Sequence, residues 1–350
     1  MTMMSGMWKK FITVGMLGAL LLTAGCGGSS KQAAKLAADG KKADAKVTLK
    51  LAHNFPTSHP IAKASVSFAD KVKAKTNGSV TVTVYPSGQL YNDKSMNDAI
   101  MSGGIDMGMN TVGRWSTVIP AMEVFDVPFL FPTYAKVDAA IDGGLGKKLG
   151  EELLKKGVRA LIWADYGFVQ FCNAKRPITK PEDFAGLKLR GYGEMPSETI
   201  KALGASPVTM GSGEVYMSIQ RGVVDGQTSG TTATFDRKIY EVCKYLTITN
   251  HAYPEFILAM NEKKYASLSE NQKKQIMEAA NEVRDDLRKN AKKEDTDAMN
   301  KLKEKGMEVY VVPEKDIPAW QKATKPCWDI FVKHAGSLGQ ELIDICTKIK

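Results

Sequence analysis

Two kinds of spacing open the chain. Val47, Leu49 and Leu51 alternate with polar residues as in a half-buried strand, Ile61, Ala64, Phe68 and Val72 follow helical spacing, and Val80, Val82 and Val84 alternate again. This strand, helix, strand opening predicts an α/β protein whose sheet is mixed or mainly parallel, with helices on its faces. Further strand-like runs lie at 105–110, 158–164, 187–190, 207–210, 244–250, 255–261 and 307–312. No fixed-period repeat is visible, which argues against a solenoid or propeller.

One predicted helix is unusually long. Ser269 and Gln272 form a capping-box pair, apolar residues follow at 276, 280, 283, 287, 291, 298 and 302, and Gly306 supplies a stop. Unbroken, the helix would run about 54 Å at 1.5 Å per residue and could brace two lobes. The alternative is a pair of helices broken near residues 292–297.

The first 46 residues read as export and tether. Lys9 and Lys10 precede an apolar run at 11–22, then Thr23-Ala24-Gly25-Cys26, the layout of an export signal ending in small residues. The run is too short to serve comfortably as a permanent membrane span. A cysteine after Ala24-Gly25 resembles a lipobox, so 1–25 is expected to be a lipoprotein signal peptide and Cys26 a lipidated membrane anchor. An ordinary secreted chain cut nearby is the alternative. Residues 26–46 are small, polar and lysine-rich, which suits a flexible tether. Either reading places the mature chain outside the cytoplasm, in the periplasm or at the cell surface.

Charge changes meaning once this segment is set apart. The chain carries a formal +10, but seven lysines and two aspartates lie before Val47, so half of the excess belongs to signal and tether. The remaining charge gives a bias towards anionic solutes. No element clusters basic with aromatic residues, which argues against a nucleic-acid partner.

The motifs of catalysis are missing. The chain has no HExxH, GxSxG, SxxK or P-loop pattern, and His53, His59, His251 and His334 lack metal-ligand spacing, so neither enzyme activity, metal nor cofactor is expected. Gly191 and Gly193 follow a strand, yet Pro196 stands where a dinucleotide loop needs its third glycine. Cys172, Cys243, Cys327 and Cys346 fit no disulfide framework and are expected to be free and buried.

The ordered motifs YPSGQL (85–90), GGIDMGM (103–109), VFDVPFLF (124–131), NAKRPITKPEDFAGLKLR (173–190), GASPVTM (204–210), EVYMSIQRGVVDGQ (214–227) and YEVCKYLTITNH (240–251) carry a family resemblance. They resemble the solute-binding subunit of the tripartite ATP-independent periplasmic (TRAP) transporters, whose name-giving group binds dicarboxylates. The resemblance covers the chain from residue 47 onwards. It implies a two-lobed α/β clamp of the periplasmic-binding-protein type (type II-like), with mixed sheets, hinge strands and a long helix spanning both lobes. On that scheme residues 47–167 with about 257–290 form the first lobe, and 168–256 with about 291–350 the second. The implied function is an extracytoplasmic receptor that binds a small carboxylate between its lobes and delivers it to membrane permease subunits. A binding protein of an ATP-driven importer and an extracytoplasmic α/β enzyme are the rival classes.

In that family the arginine closing the GLKLR strand salt-bridges a substrate carboxylate, and Arg190 matches it. A guanidinium offers a planar fork to a carboxylate, and desolvation strengthens the pair. Its competitor is an Arg190 held by a protein carboxylate such as Glu214 or Asp225. The resemblance places Asn54, Asp93, Asn110, Thr111, Gln170, Ser212 and Ser229 at pocket positions. Gln170 stands where sialic-acid-binding members have a second arginine, so one ion pair is expected to dominate. Trp115 and Tyr192 are expected either to line the pocket or to pack within a lobe.

Overall fold

The computed structural model describes residues 44–349. The signal peptide, nearly all of the tether and Cys26 lie outside the described residues.

Among the described residues, eleven strands form two sheets. The first contains β1 (Val47–His53), β2 (Val80–Tyr85), β3 (Met107–Thr111), β4 (Val158–Asp165) and β10 (Glu255–Asn261), in the order β2-β1-β3-β10-β4. The second contains β5 (Val169–Asn173), β6 (Lys188–Gly191), β7 (Ser206–Thr209), β8 (Gly226–Gly230), β9 (Tyr245–Ala252) and β11 (Glu308–Val311), in the order β11-β9-β5-β8-β6-β7. β1 pairs parallel with β2 and β3, whereas β10 runs antiparallel to β3 and β4. The second sheet is mixed in the same way. Both faces of each sheet are covered by apolar clusters, as a sheet flanked by helices requires.

Two lobes follow from two sheets, and the chain crosses between them in few places. β4 ends at Asp165 and β5 starts at Val169; β9 ends at Ala252 and β10 starts at Glu255. These crossings lie side by side, because Glu255 pairs with Asp165 in one sheet and Val169 with Ala252 in the other. A short pair of neighbouring connections of this kind can absorb a hinge motion in a few backbone torsions. Gly167 sits in the first crossing at φ +93°, and a Cβ there would fall 2.3 Å from the Asp295 carboxylate, so no larger residue fits.

The third link is the helix Glu270–Glu304, one unbroken element of 35 residues and about 52 Å. Ser269 Oγ accepts from the Gln272 amide at 3.1 Å, and Gln272 Oε1 accepts from the Ser269 amide at 3.1 Å, which closes the predicted capping box. Its early apolar residues Ile276, Ala280 and Val283 pack in the first lobe, and Leu302 packs in the second. Burying each of the larger side chains contributes about 1.5–3 kcal/mol. The predicted residues 276–302 thus serve two cores, and the two-helix alternative falls away.

The C-terminal segment departs from expectation. The helices Pro326–Ala335 and Gly339–Lys348, turned at Gly336, place Cys327, Phe331, Leu342 and Cys346 in the cluster of the first lobe rather than the second. Helical spacing shows which face is apolar, but not which lobe buries it. His334 of this segment lies 3.3 Å from Glu123 of the first lobe and 3.6 Å from Glu194 of the second. Cys172, Cys243, Cys327 and Cys346 are free and buried.

Candidate functional site

The site begins with strand order. β6 lies between β7 and β8, so its last residues emerge where the second sheet faces the first lobe. There Arg190, Tyr192, Ser212, Ser229 and Arg237 meet Asn54, Phe55, Asp93, Asn110 and Thr111 around a cavity of about 30 Å³. Tyr166 of the hinge and Pro254 and Phe256 of the return crossing complete the wall. Ligands of open α/β sheets bind at this kind of location, beyond the ends of strands.

Arg190 is buried, with 3% of its surface exposed. Its Nε and Nη2 both donate to the Met210 carbonyl at 3.3 Å, at the long end of hydrogen bonding, and its guanidinium lies 5.6 Å from the centre of the Tyr192 ring. Neither proposed protein partner reaches it. Glu214 is 2.8 Å from Lys94, and Asp225 accepts from the Lys188 amide at 2.8 Å and pairs with Lys175 at 3.5 Å. Burial pulls the Arg190 pKa down to about 10, with Asp93 opposing, so the group stays charged at neutral pH.

Asp93 answers a different arginine. Its Oδ2 accepts from Arg114 Nε at 3.0 Å and lies 2.9 Å from Arg114 Nη2. Burial would raise the Asp93 carboxyl, but Arg114 and Arg190 overcome that and hold it below the usual range. Arg114 Nη2 also donates to the Met210 carbonyl at 3.0 Å, so one carbonyl of the second lobe gathers arginines from both.

The neutral residues split into lining and support. Asn110 Nδ2 donates to the Asp93 carbonyl at 3.0 Å and to Asn97 Oδ1 at 2.8 Å, while Thr111 caps the helix Val112–Trp115. Asn54 Nδ2 donates to Ser212 Oγ at 2.8 Å across the cleft, and its buried Oδ1 has no donor among the described residues. Ser58 Oγ donates to Asp236 Oδ1 at 2.7 Å, and His59 Nε2 lies 3.3 Å from Thr232 Oγ1. The two lobes are therefore closed on each other along the cavity rim.

Two expected pocket residues lie elsewhere. Gln170 is not on the cavity wall; its Oε1 accepts from the Thr249 and Asn250 amides at 2.7 and 2.9 Å, and its Nε2 donates to Asn250 Oδ1 at 2.6 Å. It fills the gap where the β5–β9 register shifts, a need that sequence spacing does not reveal. Trp115 is fully buried in the first-lobe core, the packing alternative. Tyr192 does both: its ring lines the cavity, and its hydroxyl donates to Asp126 Oδ1 at 2.5 Å. Burial pushes that aspartate up to about 7.

Phe55, Tyr166, Arg237, Pro254 and Phe256 were not anticipated. Tyr166 reaches the cavity because β8 carries Gly230 beside it, where a Cβ would meet the ring at 2.6 Å. Its hydroxyl lies 3.2 Å from Ser229 Oγ. Arg237 follows a helix of ordinary composition, so no local signal marks it.

Comparison with known proteins identifies the family and the fold. Residues 51–334 match the model of bacterial extracellular solute-binding protein family 7. The chain is 31% identical over 294 residues to the C4-dicarboxylate-binding periplasmic protein of Rhodobacter capsulatus, covering 83% of this chain and 88% of that one. A TRAP periplasmic solute-binding protein of Sulfurospirillum deleyianum, solved with bound succinate, superposes with a TM-score of 0.82 at 31% identity, over 87% of this chain and all of the other. The sugar-acid-binding protein of Advenella mimigardefordensis, in complex with galactonate, gives 0.84 at 27% identity, over 87% of this chain and 99% of that one.

Proposed function

Because the chain belongs to bacterial extracellular solute-binding protein family 7, we propose that it is the receptor of a TRAP transporter that captures a small organic acid in the cavity around Arg190. The family is one of substrate-binding receptors, and membership places the chain outside the cytoplasm. The observation that carries the reading is a buried, charged guanidinium on a cavity wall with no carboxylate of its own. Leaving such a group without an anion is costly, so an acid that reaches it gains a charge-assisted, bidentate contact in a desolvated setting.

The motion follows from the paired hinge crossings at 165–169 and 252–255. With the lobes apart, Arg190 is hydrated and open to solutes. The acid then docks on the second lobe, and closure brings up Asn54, Asn110 and Thr111 while expelling water. Closure is a population shift whose extent equals the differential affinity of the ligand for the closed state. Asn54 Oδ1, a buried acceptor without a donor, suits a ligand hydroxyl. The closed form then docks on membrane permease subunits, and Cys26, if lipidated, keeps the receptor at the membrane. Signal removal and lipidation are readable as a mass change on the purified mature protein.

A thermal-shift screen tests the reading. Succinate, D-glucuronate, galactonate and D-erythronate are added to purified protein, and at least one acid is expected to raise Tm by mass action. Arg190→Ala is expected to remove that shift while the ligand-free variant still unfolds cooperatively. An undiminished shift in the variant, or chemical turnover of the acid, would overturn the proposal.

A further inference from the structure

We propose that Arg237 is a second anion anchor, which makes the cavity selective for short acids carrying two carboxylates. The inference rests on the receptor reading above and deepens it. Arg237 directly follows the helix Thr231–Asp236 of the second lobe, and its side chain lines the same cavity as Arg190. Its own contacts are slight: Nη2 donates to the Asn54 carbonyl at 3.3 Å, and the guanidinium lies 5.4 Å from the centre of the Phe55 ring. Among the described residues, neither Arg190 nor Arg237 has a carboxylate oxygen within 4.0 Å. The neighbouring Asp236 turns away to accept from Ser58 at the surface.

Charge balance then selects the ligand. Arg114, Arg190 and Arg237 stand against Asp93, and Asp93 is engaged by Arg114. Arg190 and Arg237 are left with only longer-range attraction, from Asp93 for both and from Asp236 for Arg237, and an arginine cannot shed its charge at neutral pH. Burial lowers the pKa of both, and the charge of Arg237 works against that of Arg190. A dianion relieves both groups at once. A monoacid satisfies one and leaves the other, buried Arg190 or half-buried Arg237, without an anion and repelled.

The geometry also limits size and orientation. Both arginines come from one lobe, so the two carboxylates are held on one side. The first lobe offers neutral Asn54, Asn110 and Thr111 with the apolar walls of Phe55 and Phe256. With both arginines on one side and the opposing walls closed on each other, the site suits a compact acid over a bulky one. In place of the single dominant ion pair expected from the neutral Gln170, a second charge thus comes from a residue 67 positions later, on another element.

The test is isothermal titration of the purified protein with malonate, succinate and glutarate, and with the matching monoacids propionate, butyrate and valerate. The best dicarboxylate is expected to bind at least about a hundredfold tighter than its monoacid, as for truncation of a buried charge pair. Arg237→Gln is expected to weaken the dicarboxylate about a hundredfold while moving the monoacid by about threefold or less. Arg237→Lys, which keeps the charge but not the fork, retains most of the preference. A wild type that binds monoacids as tightly, or an Arg237→Gln variant that weakens both classes equally, would overturn the second anchor. Arg190-dependent binding of another acid in that case leaves the receptor reading standing. If no acid binds at all, the receptor reading itself fails.

Discussion

The cavity and the hinge hold opposite charges and resolve them by different chemistry. On the cavity wall, Arg190 and Arg237 have no carboxylate oxygen within 4.0 Å among the described residues. At the hinge Asp165, Glu255 and Asp295 are buried acids: the Glu255 carboxylate has no hydrogen-bond partner among the described residues, and its backbone pairs across the sheet with Asp165. An acid in this position can take a proton. Burial raises Asp165 and Asp295 to about 6 and pushes Glu255 up further, against the pull of Arg288 on Asp165 and Glu255. An arginine has no such escape below strongly alkaline pH. The hinge can therefore be neutralised by solvent protons, whereas the cavity needs an anion from outside, and that difference separates a structural cluster from a binding site.

The largest expected effect tests the cavity side. Arg190→Ala is expected to weaken the best acid at least about a thousandfold, since it removes one partner of a desolvated ion pair. Calorimetry on the folded variant checks it, and a loss below tenfold would erase the contrast. Arg237→Gln comes next, with its loss confined to dicarboxylates.

The hinge side is tested by pH. Asp295 Oδ1 accepts from Thr231 Oγ1 at 2.6 Å, and Oδ2 accepts from Tyr134 Oη at 2.7 Å and the Phe168 amide at 3.1 Å, joining first lobe, hinge and second lobe. Its folded pKa, about 6, stands above the ordinary aspartate value of 3.8. The folded state therefore binds the extra proton between those values, and the group costs stability as pH rises through that window. Asp295→Asn, which cannot ionise, should gain on the wild type as pH goes from 4 to 7, by up to about 3 kcal/mol. Paired thermal melts read this as a difference, which cancels the opposite contribution of buried His53 and His251, held near 4 and 3 by desolvation. A variant that instead loses ground towards pH 7 would show that Asp295 is ionised and stabilising.

Two smaller effects sharpen the boundary of the site. Gln170→Ala should destabilise the fold by about 1–3 kcal/mol, because the buried Thr249 amide and the part-buried Asn250 amide lose their acceptor, while the affinity of the folded protein stays within about threefold. A large affinity loss would return Gln170 to the binding wall. Asn54→Ala removes one hydrogen bond across the cleft and should weaken the ligand by roughly threefold to tenfold, read by titration. No change would mean that the Asn54–Ser212 contact adds nothing to closure.

How much could be read before folding varied by element. The alternating strands β1, β2 and β4 and the capped long helix carry strong periodic signals, and they stand where spacing puts them. β5 and β8 were not visible as strands: VQFCN and GQTSG are buried throughout, and GQTSG has no apolar alternation at all. Central strands covered on both faces need not alternate. Gly226 shows why such a sequence still works, since a Cβ there would fall 2.0 Å from the Cys172 carbonyl.

The same division runs through function. Order of motifs along the chain was enough for the family, the clamp, the class of ligand and the position of Arg190, because those depend on local patterns that recur in a fixed order. Tertiary structure decided which lobe buries the C-terminal helices, moved Gln170 and Trp115 off the cavity wall, and brought Arg237 onto it. These are outcomes of packing between distant segments. A residue 47 positions beyond Arg190 becomes its neighbour only when β6 and β8 lie side by side and the following helix turns back over the cleft, which no spacing rule encodes.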